Sequence, residues 1–175
     1  MASITYEVNP VETMTTGAIG SPGKRVFYLQ GRGLDQLVTL IIEKQQLQSL
    51  AVGLEQFLSE LQERLPDLPE AGLDYTENDM ILHEPIDPLF RVGHMGLGYD
   101  EDSDRLVLIA REGQPPEADP EEAAVARFWC SRAQLRQMCH WGLEIVERGR
   151  AICGNCGQPI DPEGHFCPKR NGHAH

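Results

Sequence analysis

Two amphipathic segments lie in phase along this chain, and a short apolar run leads directly into each. Within residues 44–65, Leu47, Leu50, Ala51, Leu54, Phe57 and Leu58 recur at helical spacing. Adding 88 to each number gives Leu135, Met138, Cys139, Gly142, Ile145 and Val146, the apolar stripe of a second segment. The β-branched runs "VTLII" and "VARFW" precede the two stripes and favour strands. Pro66 stops the first helix. Ser131, with Gln134 three residues on, opens the second as a capping box, and Gly149 closes it. Further upstream, "RVFYLQ" and "RLVLIA" supply another strand to each half, and "YDEDSD" reads as a hairpin turn. A tandem duplication follows, each copy a meander of about three strands and then a helix. The fold class is α+β, with helices packed on antiparallel sheet.

This reading divides the chain into a first meander–helix unit at 1–66, a connector at 67–88, a second unit at 89–149 and a tail at 150–175. The connector, "DLPEAGLDYTENDMILHEPIDP", is rich in Pro, Gly and acid and has little periodicity. A second irregular stretch, "EGQPPEADPEEA", joins two strands of the second unit and is expected to be solvated surface.

No stretch approaches the roughly 20 consecutive apolar residues of a membrane span. The start, "MASITYEVNP", has neither the basic nor the apolar region of a secretory leader. A cytoplasmic protein with no membrane partner is expected. Charge narrows the partners further. The chain carries −12 overall, whereas residues 148–175 hold Arg148, Arg150, Lys169 and Arg170 against Asp161 and Glu163, or +2, leaving −14 on residues 1–147. Such a body repels phosphate backbones everywhere but at the tail.

Residues 153–173 read "CGNCGQPIDPEGHFCPKRNGH" and hold three of the five cysteines. Cys153 and Cys156 form a C-x₂-C pair followed by Gly157, the shape of a zinc knuckle, in which glycine lets backbone amides approach thiolate sulfur. Cys167 supplies a third thiolate. Zinc takes four nitrogen or sulfur ligands in a tetrahedron. His165 lies two residues before Cys167 and shares its face in an extended segment. His173 is the alternative fourth ligand, and His175 a more distant one. The set Cys153, Cys156, His165 and Cys167 fills every position, which marks structural Zn²⁺. A tail of about 20 residues with few apolar groups cannot hold a core alone, so the metal is expected to fold it.

Other candidates carry less. The glycines of "GRGLD" at 31–35 and "GLGYD" at 96–100 lack the third Gly of a dinucleotide fingerprint and the Lys-Ser/Thr of a phosphate loop, and read as turns or bulges between strands. Asp100, Asp102 and Asp104 alternate as in a calcium loop but lack its Gly and terminal Glu. His83, beside Glu84 and Asp87, sits in the connector, His94 in a strand run and His140 on the second helix beside Trp141. None has a nucleophile at an interpretable spacing. Cys130 stands at the helix start, where a thiol pKa can fall, but as a small apolar group it fits the core.

The tail, with the preceding "ERGR" and the N-terminal "GAIGSPGKRVFYLQ", resembles an uncharacterised bacterial family, domain of unknown function thirty-ninety. The similarity spans nearly the whole chain, and "CG.C" and "GH.CP" are its most specific parts. The family has no assigned activity, so the resemblance implies one architecture for body and tail and no catalytic residues. The residues favour a non-enzymatic binding or adaptor module with structural zinc and a protein partner. One alternative is a small hydrolase or phosphate-ester enzyme in a cleft between the units, using His83, Glu84, His94 or Asp100. Another is a single-stranded nucleic-acid binder stacking bases on Phe27, Tyr28, Phe90 and Phe128, which the acidic body disfavours.

Overall fold

The computed structural model describes residues 4–21, 23–148, 151–152 and 159–160, the last four as backbone. Strands β1 (Thr5–Val8), β2 (Thr13–Ile19), β3 (Val26–Arg32) and β4 (Leu37–Ile42) lead into helix α1 (Lys44–Arg64). A 3-10 turn at Glu77–Met80 interrupts the connector. Strands β5 (Val92–Asp100), β6 (Arg105–Glu112) and β7 (Val125–Cys130) then lead into α2 (Arg132–Arg148), and a hairpin of β8 (Ala151–Ile152) and β9 (Pro159–Ile160) follows. The architecture is α+β.

Local chemistry sets the helix starts. At α1, Glu43 and Gln46 cap each other, and the Gln46 Oε1 accepts from Glu43 N at 2.8 Å. At α2, Ser131 N donates to Gln134 Oε1 at 2.8 Å while Gln134 N donates to Ser131 Oγ at 3.0 Å. This is the capping box legible in the sequence. Leu47, Leu50, Ala51, Leu54 and Leu61 bury one face of α1, and Leu135, Met138, Cys139, Gly142, Ile145 and Val146 bury the matching face of α2.

Two antiparallel meanders, β2–β3–β4 and β5–β6–β7, form the sheets, and β1 adds to the second by pairing parallel with β7. An offset of 88 carries the bounds of β4 onto those of β7 and Lys44 onto Arg132. An offset of 79 carries β3 onto 105–111, where Phe27, Leu29 and Gly31 meet Leu106, Leu108 and Ala110, all buried. The difference between the offsets falls in the longer β6–β7 connection. The joins between the sheets repeat as well. Ile41 N donates to Phe90 O at 3.0 Å, and Val11 N donates to Trp129 O at 2.9 Å, so the chain entering each meander lies beside the last strand of the other.

One apolar cluster takes in residues from both sheets and both helices, including Leu29, Leu40, Leu47, Leu108, Phe128 and Leu135, each fully buried. Burial of each such side chain contributes about 1.5–3 kcal/mol. Backbones close tightly at two glycines. A Cβ on Gly31 would lie 2.4 Å from Phe128 Cδ1, and one on Gly142 would lie 2.8 Å from Leu47 Cδ1.

One expectation needs correction. Residues 96–100 do not separate strands but lie inside β5, which continues to Asp100, so the hairpin turn is confined to 101–104. Cys130, by contrast, follows the core reading: it is the last residue of β7, just before the Ser131 cap. It is fully buried, and burial pushes its thiol pKa well up, so packing and not reactivity is its role.

Candidate functional site

The connector and α2 build the most elaborate polar surface among the described residues. The connector leaves α1 and passes along α2 in extended form, engaging one turn after another. Arg132 Nη1 donates to Pro69 O at 2.7 Å, Arg136 Nη1 to Ala71 O at 2.7 Å, and the Tyr75 hydroxyl pairs with His140 Nδ1 at 2.7 Å. At the end of the helix Arg148 meets Glu77 and stacks over Trp141, 5.0 Å from the ring centroid. The i, i+4 spacing of Arg132, Arg136, His140 and Glu144 puts all four on one stripe.

The arginines are committed. Arg132 binds Asp104 at 2.9 Å, and Arg136 forks onto Glu55 at 2.8 and 2.9 Å with Glu70 beyond. A cleft of about 580 Å³ lies over them, floored by Leu58, Leu61 and Leu68 and edged by Glu55 and Glu70. Its two cations already face carboxylates, so it is balanced rather than poised for an anion. Tyr75 has its pKa raised, first by burial and then by the Glu144 charge, so the phenol stays neutral and holds His140 as a hydrogen-bond partner.

A second cleft, about 630 Å³, runs between α1 and β5 and is lined by Gln46, Leu50, Gly53, Phe57, His94 and Met95 among others. His94 therefore reaches a groove, whereas His83 does not share it. The His83 ring meets Thr13 Oγ1 at 3.4 Å on the far sheet, and its peptide is held by Gln30. Asp100 accepts from Ser103 Oγ at the β5–β6 turn. The structure does not bring His83, His94 and Asp100 together, and Glu84 is exposed beside His83. Phe27, Phe90 and Phe128 are buried and offer no stacking platform, while Tyr28 is half-buried.

The candidate metal ligands Cys153, Cys156, His165 and Cys167, and the alternative His173, lie outside the described residues. Among the described residues no group of three or more His, Cys, Asp or Glu is placed to hold a metal ion. On either side of Cys153 and Cys156 in the sequence, Ala151 pairs with Ile160 and Ile152 with Pro159. No described helix is long and apolar enough to cross a membrane.

Sequence reasoning passed over Tyr75, Arg132, Arg136 and Gln30. The four-residue spacing of Arg132 and Arg136 on a helix was a usable signal. Tyr75, in a stretch without periodicity, gave none.

No curated protein and no solved structure matches the chain. One family model, described as a protein of unknown function (DUF3090), matches residues 6–167, from β1 through the cysteines of the tail and ending at Cys167. The chain belongs to the DUF3090 family.

Proposed function

We propose that the protein is a non-enzymatic binding module whose body of two meander–helix units, joined by the connector at 67–88, carries a tail at 150–175 folded by one structural Zn²⁺. The observation that carries this reading is the β8–β9 pairing, which brackets Cys153 and Cys156 as the strands of a zinc knuckle do. The family match adds support, because it takes in Cys153, Cys156, His165 and Cys167 and stops short of His173. Three thiolates and one imidazole complete a tetrahedron, leaving the metal no open position for substrate or water. Its role is to hold the chain. The tail places Arg150, Lys169 and Arg170 beside an acidic body and is the part suited to a protein partner.

Elemental analysis of the purified full chain, wild type and variants, tests the reading. One zinc per chain is expected, lost from Cys156→Ser, weakened in competition with a chelator in His165→Ala, and unchanged in His173→Ala. Wild-type protein without stoichiometric zinc overturns it.

A further inference from the structure

The internal repeat makes one cleft the template for another. Between β2 and α2, Trp141 fills the space: its Nε1 donates to Thr16 O at 3.1 Å, and the side chain is buried. The connector, the segment that follows α1, closes this cleft from outside. Tyr75 packs edge-on against Trp141 with centroids 6.4 Å apart, Leu82 covers Gly17, and Met80 O accepts from Thr15 Oγ1 at 2.7 Å.

The equivalent cleft, between β5 and α1, is open. The offset of 88 puts Gly53 where α2 has Trp141, and the offset of 79 puts Gly96 where β2 has Gly17. A Cβ at either glycine would meet nothing within 4 Å. This is the groove of about 630 Å³. Beside it Val52, the equivalent of His140, is 70% exposed, an apolar side chain left bare where its counterpart lies under Tyr75.

The repeat also names the occupant. The helices run antiparallel, since Leu47 meets Gly142 and Glu55 meets Arg136. The end of α2 therefore lies beside the start of α1, just as the end of α1 lies beside the start of α2. The connector uses 18 residues from Arg64 to reach Leu82 (82 − 64), and 27 residues follow Arg148 (175 − 148). Those 27 contain one aromatic side chain, Phe166.

We infer that the groove between α1 and β5 is the docking site of the chain's own tail, which lies along α1 as the connector lies along α2 and inserts Phe166 into the space beside Gly53. The inference deepens the reading of the tail under the proposed function but does not need the metal, so zinc content is measured on every sample. Docking that fails with zinc retained is thereby separate from a failure to bind zinc.

The test places a benzophenone photocrosslinking side chain at position 52, the exposed site beside the groove, of the full-length, zinc-loaded chain. Irradiation is expected to yield a monomeric adduct in which position 52 is joined to the peptide containing Phe166. A crosslink to a second copy, or none to the tail, overturns the inference. A filled-groove variant, Gly53→Trp, gives an independent readout. Trypsin is expected to cut after Arg150, Lys169 and Arg170 about tenfold faster than in wild type, because cleavage follows the undocked population, with zinc content unchanged. Equal rates in the two proteins likewise overturn it.

Discussion

The side-chain amide of Gln30 clasps the peptide of His83. Its Oε1 accepts from His83 N at 2.7 Å, its Nε2 donates to His83 O at 3.0 Å, and the same Nε2 reaches Thr39 Oγ1 at 2.9 Å. A buried strand glutamine thus pairs with the connector as a neighbouring strand would, and fixes the chain between the repeats to the outer face of the first sheet.

Replacing Gln30 with Met keeps the volume and removes all three bonds. The His83 peptide and Thr39 hydroxyl then lose their buried partner, at a cost of about 1–3 kcal/mol. Urea unfolding should show that loss, and amide exchange at 80–84 should accelerate more than exchange in α1. Unchanged exchange at His83 would show that the clasp does not hold the connector.

Gly31 and Phe128 fit one another, and the equivalent positions in the other half hold Ala110 and Leu40, a larger small residue facing a smaller large one. Gly31→Ala alone forces a methyl group into the Phe128 ring and should destabilise by about 1–3 kcal/mol. In a Phe128→Leu background the same methyl has room. A double-mutant cycle should return a favourable coupling of at least about 0.5 kcal/mol. Strict additivity would count against the equivalence of the two halves.

Asp104 accepts from the Tyr99 hydroxyl at 2.7 Å and pairs with Arg132 at 2.9 Å. The Arg132 hydrogen bond holds the Asp104 pKa below the usual carboxylate value, while burial and then the Asp104 hydrogen bond push Tyr99 up to about 12. The signs are opposite at the two ends of the pH scale. Asp104 contributes stability above its unfolded pKa that is lost as pH falls through its lowered folded value. Tyr99, neutral when folded, contributes stability below an unfolded pKa of about 10 that is lost as pH rises toward 12. Ultraviolet titration of phenolate should show a late component that disappears in Tyr99→Phe. In Asp104→Asn that component should move to lower pH, and the protein should lose part of its acid-side sensitivity.

The five cysteines should fall into two classes. Burial pushes Cys139 up to about 12 and Cys130 higher, so neither offers thiolate to a reagent at neutral pH. With zinc bound, native protein should react slowly at every thiol. A chelator should expose Cys153, Cys156 and Cys167, and denaturant the remaining two. Three fast thiols before chelation would separate the tail cysteines from any metal.

Both helices were legible because a 3.6-residue period, a stop at Pro66 and a capping box at Ser131 are local signals. The strand leading into each helix was legible for the same reason. Strand β1 was not. Its four residues, "TYEV", alternate polar and apolar but make too short a run to stand out, and its parallel partner β7 is about 120 residues away, from Thr5 to Val125, so tertiary pairing is what makes it a strand. The misplaced turn at 96–100 came from reading glycines as breaks, when the edge strand β5 accepts them in its interior. The cleft beside Gly53 escaped because its sign is a side chain that is not there. It emerges only when α1 is laid over α2 and Trp141 is seen to have no counterpart.

X-ray absorption at the zinc edge on the intact protein examines the metal centre directly. Three sulfur scatterers and one nitrogen, reduced to three sulfurs and one oxygen in His165→Ala and unaltered in His173→Ala, is the predicted result. A wild-type spectrum with a light-atom shell of water oxygen and fewer than three sulfurs would contradict a closed structural site.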